Sequence, residues 1–155
     1  MYLTPEQKNK YKVMSYDSCK RYCSHKHKNT SIIISITTYD DGLYDEIIKT
    51  KNNNVQDILY LRFCDLEYED DSKFCMQYED GKKIAEFVNE WYDKVDTIIV
   101  HCEGGVSRSA GVCAAIMRVK EGDDFPIFDS TTKHPNITCY IQTLKGFNYK
   151  LLEKD

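Results

Sequence analysis

Thr97-Ile98-Ile99-Val100 is a short β-branched run, and Ala110–Val119 shortly after it is apolar almost all round, through Ala110, Val112, Cys113, Ala114, Ala115, Ile116, Met117 and Val119. This pair constrains the fold more than any other feature. A strand apolar on both faces belongs in the centre of a parallel sheet, where helices cover both sides. A helix with no polar face must itself be buried. Ahead of them, Ile84, Phe87, Val88 and Trp91 recur at i, i+3, i+4 and i+7, the stripe of an amphipathic helix that Asp93–Asp96 ends. Strand, helix and strand at this spacing predict a right-handed crossover. The fold class read from these segments is α/β: a central, mostly parallel sheet flanked by helices.

The rest of the chain supplies the remaining elements. Tyr11–Met14 reads as a short strand, followed by a helix through Cys23 capped by Ser15 or Asp17. Ile32–Ile36 reads as a buried strand from which Thr37–Gly42 turns away, and Ile58–Phe63 as a third strand. Between them, Asp45–Lys49 suggests a helical turn and Asn52-Asn53-Asn54 a polar loop. Tyr140, Leu144, Phe147 and Leu151 mark a final helix, capped by Asn136 and weakened locally by Gly146. No repeat, low-complexity tract or linker divides residues 1–155, so one domain is expected.

Charge and cysteine usage exclude several function classes. The net charge is −4, with both signs interspersed, and this builds no basic face for nucleic acid or an anionic membrane. Ile32-Ile33-Ile34 and Ile98-Ile99-Val100 are too short to span a bilayer. The start Met1-Tyr2-Leu3-Thr4-Pro5 has no secretory pattern, and a cytoplasmic protein is expected. Seven cysteines without a signal peptide read as reduced thiols. Cys19 and Cys23, followed by His25 and His27, raise the question of zinc. Their helical spacing and the lack of a second ligand pair argue against it. No metal or cofactor is expected.

Between the central strand and the buried helix lies His101-Cys102-Glu103-Gly104-Gly105-Val106-Ser107-Arg108-Ser109. Ligands bind in such a place, outside the carboxyl end of a central strand. The glycines permit a tight loop with its N–H groups turned inward, and the following helix adds its positive end. Arg108 offers a planar fork of donors for two phosphate oxygens. The same field lowers the pKa of Cys102 and makes its thiolate available as a nucleophile.

His-Cys-x5-Arg-Ser is the signature of the protein tyrosine phosphatase superfamily, and the chain resembles the small dual-specificity and bacterial tyrosine phosphatases from about Ile32 onward. The resemblance implies a phosphatase-type loop between strand and buried helix, and a cysteinyl-phosphate formed on Cys102 and then hydrolysed. Arg108 and the backbone of Glu103, Gly104, Gly105, Val106 and Ser107 would bind the phosphoryl group. Ser109 would hydrogen-bond the Cys102 sulfur, and His101 would orient the loop. The family places an acidic aspartate on a loop before the nucleophile. Asp65, at the end of the Ile58–Phe63 strand, is the expected acid, with Asp70 and Asp71 as alternatives in an acidic loop. Cys64 is either a partner that traps oxidised Cys102 or, like Cys75, Cys113 and Cys139, a small buried hydrophobe. Glu103 and the absence of lysine from the loop argue against polyanionic lipid headgroups. The expected substrates are therefore phosphorylated proteins or small phosphate esters. A rhodanese-like sulfurtransferase, an arsenate reductase and a phosphate-recognition module without turnover remain as alternatives.

Overall fold

The computed structural model describes residues 9–38, 47–66 and 75–150. Four strands form a parallel sheet: β1 (Tyr11–Met14), β2 (Ser31–Thr37), β3 (Val55–Arg62) and β4 (Thr97–His101), in the order β1-β4-β2-β3. As expected, β4 is central, paired with β1 through Met14↔His101 and with β2 through Ser35↔His101. β3 begins three residues before the expected Ile58, because β2 pairs with it from Ser31 onward across a register shift.

Alternation along β2 and β4 explains their unbroken apolar runs. Ile32, Ile34, Ile36, Ile98 and Val100 belong to one core and Ile33 and Ile99 to the other, so each strand feeds both faces. On the smaller face lies α1 (Tyr16–Cys23), which presents Tyr16 and Cys19 to Ile33 and Ile99. Ser15 caps it, its side chain accepting from Ser18 N at 3.1 Å. The larger face carries α2 (Tyr78–Trp91) and α3 (Arg108–Glu121), the latter buried from Arg108 to Met117.

The short helix α4 (Phe125–Phe128), with no counterpart in the sequence reading, leads to α5 (Ile137–Gly146). Asn136 caps α5 as expected, accepting from Cys139 N at 3.0 Å. The final helix does not run through Phe147, which caps it. It ends at Gly146, whose missing side chain lets it touch α2: a Cβ there would lie 2.1 Å from the carbonyl carbon of Gly81. Leu151, Thr37–Gly42 beyond Thr38, and Asp45 and Glu46 of the expected helical turn lie outside the described residues, and residues 47–50 are not helical. No helix among the described residues is long and apolar enough to cross a membrane.

Candidate active site

Because all four strands are parallel, their carboxyl ends share one edge of the sheet, and each contributes to a single cluster there. β4 delivers Cys102, with its side chain at the start of the loop that runs to α3. Ser109 Oγ lies 3.1 Å from Cys102 Sγ, and Gly105 N donates to the same sulfur at 3.3 Å. Burial pushes this thiol up. The hydrogen bonds from Ser109 and Gly105 and the charge of Arg108 outweigh burial and bring it below the ordinary cysteine value.

His101, fully buried beneath the loop, has Nε2 2.6 Å from Ser35 Oγ and Nδ1 3.1 Å from the Cys102 carbonyl oxygen. A carbonyl only accepts, so Nδ1 carries a proton, and in the neutral ring Nε2 accepts from the serine hydroxyl. Burial, joined by the Arg108 charge, holds this imidazole below its usual pKa and therefore neutral.

Arg108, 5 % exposed, is gripped by the ends of β2 and β3. Its Nη1 donates to the Phe63 carbonyl at 2.9 Å and to Thr38 Oγ1 at 3.3 Å. Nη2 lies 3.7 Å from the carboxylate of the exposed Glu103. The guanidinium is thus held from behind, as a two-pronged oxyanion contact requires.

The carbonyls of the loop are held from outside. Glu103 O accepts from Tyr16 N at 3.1 Å, Val106 O from His134 N at 2.9 Å, and Ser107 O from Asn136 N and Gly111 N, each at 2.9 Å. Gly105 O accepts from Lys133 Nζ at 2.6 Å. A trans peptide sets its N–H opposite its C=O, so each carbonyl turned outward turns the next residue's N–H inward. Gly105 has φ +70°, and a Cβ on it would lie 2.5 Å from Met14 C and Ser15 N. That position needs glycine twice over.

Asp65 stands at the same edge, just past β3. Its Oδ1 accepts from Ser107 Oγ at 2.7 Å and from Asn136 Nδ2 at 2.6 Å. Asn136 also donates to Leu66 O at 2.9 Å. Asp70 and Asp71 lie outside the described residues.

The other thiols differ in setting. Cys75, Cys113 and Cys139 are buried as expected, whereas Cys64, beside Asp65, is only half-buried, and all seven are free. Burial raises Cys113 to about 12 and holds Cys139 well above its usual value. His25 and His27 serve the end of α1: His25 Nδ1 bonds Arg21 O, and His27 Nε2 bonds Tyr22 O while its ring stacks on Tyr22. Among the described residues, no three His, Cys, Asp or Glu gather closely enough to hold a metal ion.

Sequence reasoning gathered Cys102, Arg108, Ser109, His101 and Asp65 but missed Ser35, Thr38, Lys133 and the second role of Asn136. Ser35 and Thr38 carried only a coarse signal, that of a buried strand, since the order that sets its end beside the β4 loop is not a local pattern. Lys133 left no comparable signal.

No family model matches the sequence, and no curated protein matches it. Solved structures do. Human DUSP28 superposes with a TM-score of 0.61 at 15 % identity, over 90 % of this chain and 92 % of that one. The PTP-2 phosphatase of Cydia pomonella gives 0.54 at 20 % identity, over 86 % and 83 %. The chain has the protein tyrosine phosphatase fold. PTPMT1 in complex with PI(5)P shares it as well, at a TM-score of 0.52 and 12 % identity over 88 % and 87 %. On this phosphatase fold, a thiol with lowered pKa at a strand end, an anchored guanidinium and inward N–H groups can bind and attack a tetrahedral oxyanion.

Proposed function

We propose that this chain is a cysteine-dependent phosphatase that hydrolyses phosphotyrosine monoesters, with phosphoserine and phosphothreonine as the second substrate class to test. The observation that carries the reading is the convergence on Cys102 Sγ of Ser109 Oγ and Gly105 N, with Arg108 fixed beside it. In the first step the Cys102 thiolate attacks phosphorus, the bond to the ester oxygen breaks, and Asp65 gives that oxygen a proton. Among the described residues both hydrogen bonds to Asp65 fall on Oδ1, which leaves Oδ2 to carry the proton. In the second step water attacks the cysteinyl-phosphate, Asp65 takes its proton, and Ser109 stabilises the departing thiolate. Glu103, with its exposed carboxylate at the loop, favours a substrate with one phosphate over a polyphosphorylated headgroup.

The test is phosphate release from an aryl phosphate and from phosphotyrosine, phosphoserine and phosphothreonine peptides, with and without chelator. Turnover that survives chelator and disappears in Cys102→Ser, while vanadate binding persists, supports the mechanism. Activity lost in chelator and restored by zinc or magnesium, or near-normal turnover in Cys102→Ser, refutes it. Release of thiocyanate from thiosulfate and cyanide would favour a sulfurtransferase instead.

A further inference from the structure

We infer that Lys133, outside the signature loop, is a positioning residue that sets the direction of the Gly105–Val106 peptide and thereby one of the N–H donors for the bound oxyanion. The inference rests on the phosphate-binding reading of the loop. Of the held carbonyls between Glu103 and Ser107, those of Glu103, Val106 and Ser107 are fixed by backbone N–H groups. Gly105 O is fixed by a side chain, Lys133 Nζ at 2.6 Å. Gly105 carries no Cβ and sits at φ +70°, so no side chain of its own opposes rotation of the peptide that follows it. A rotation of that peptide would turn Gly105 O toward the oxyanion and Val106 N away, exchanging an attraction for a repulsion.

An ammonium opposes that rotation better than a neutral donor, because a hydrogen bond from a charged group is roughly twice as strong. It also polarises the peptide it bonds, making the Val106 N–H a better donor. Lys133 is half-buried, and among the described residues no carboxylate lies within ion-pair range of it. Its neighbours hold the loop in the same way: His134 and Asn136 each give a backbone N–H to it. The segment before α5 is therefore a clasp on the outer side of the loop, and Lys133 is the prong that substitution can remove.

The experiment compares Lys133→Met with Lys133→Arg in the full chain, by calorimetric titration with orthovanadate, kcat and KM for an aryl phosphate, and Tm. Lys133→Met should bind vanadate about tenfold more weakly and lower kcat by a similar factor, less than the roughly 10²–10³ lost when an oxyanion donor is deleted outright. Its Tm should move by no more than about 2 °C, as for a substitution outside the core. Lys133→Arg should restore both readouts to within about threefold, because it returns charge and donor. Wild-type vanadate affinity in Lys133→Met overturns the inference, and so does an Arg variant as weak as the Met variant. Should Lys133→Met fail to fold, Lys133→Gln, polar and neutral, takes its place with the same expectation. A loss of affinity that tracks a fall in Tm in both neutral variants makes Lys133 merely structural and overturns it as well. Wild-type protein that binds vanadate without hydrolysing any ester leaves the clasp standing and sinks the phosphatase reading, while protein that binds no vanadate sinks both.

Discussion

His101 joins the sheet to the loop through two hydrogen bonds, and in the neutral ring Nδ1–H donates to the Cys102 carbonyl while Nε2 accepts from Ser35. Its depressed pKa fixes the sign of a stability change. The unfolded chain takes up the proton near pH 6.5 and the folded chain only at lower pH, so stability falls as pH drops below about 6.5. Urea midpoints between pH 8 and 5 should therefore fall more steeply for wild type than for His101→Asn, and parallel slopes would remove His101 as the source. Asp65 allows a second test at this scale. Asp65→Ala should slow hydrolysis of an ester with a poor leaving group by roughly 10²–10⁴-fold, and much less when the leaving phenol is already acidic. An equal loss on both substrates would mean that Asp65 shapes the loop instead of giving a proton. These residues were legible because their chemistry is tied to the signature. Lys133 and Thr38 were not, since a lysine in a loop or a threonine after a strand fits any surface until the fold shows what it faces.

Elements were legible wherever the hydrophobic period ran long. α2 and α3 lie where their stripes placed them, and β2 and β4 where their β-branched runs did. The last helix is the exception, because a left-handed residue ends it before its pattern does. Tyr140 and Leu144 predict a helix continuing through Phe147, but α5 stops at Gly146, ahead of Asn148 at φ +57°, while Gly146 itself lies against Gly81 on α2. Nothing in a single periodic stripe reveals the partner that a glycine meets. A methyl group at Gly146 would overlap the Gly81 backbone at 2.1 Å, and an overpacked contact costs about 1–3 kcal/mol. Gly146→Ala should therefore lower the urea midpoint. The site lies at the other end of α5, where Asn136 caps the helix, so kcat per folded molecule should stay within about twofold. An unchanged midpoint would show that the two helices part easily, and a large fall in kcat would show that their crossing sets the position of Asn136.

At the scale of the whole molecule, one topological fact organises the chemistry: four parallel strands end on the same edge. β1 hands over to Tyr16, whose N–H holds Glu103 O; β2 and β3 end in the grip on Arg108; and β4 ends in Cys102. The sequence disclosed β4 and its loop because a signature lies there, whereas the convergence of the other ends follows from strand order, which no local pattern carries. The same arrangement separates the seven thiols. Burial raises Cys113 and Cys139, while donors at the sheet edge lower Cys102. Cys23 is also lowered, by a hydrogen bond from Cys19 at the end of α1, so a low pKa alone does not mark the site. Iodoacetate at pH 6, read by peptide mass, should label Cys102 well ahead of Cys113 and Cys139, because only a thiolate reacts. Phosphate or vanadate added beforehand should protect Cys102 and leave Cys23 labelling unchanged, since only one of the two thiols lies within the oxyanion loop. Equal protection of both would mean that the anion acts on the protein as a whole, and no protection of either would mean that the loop does not hold an anion over Cys102.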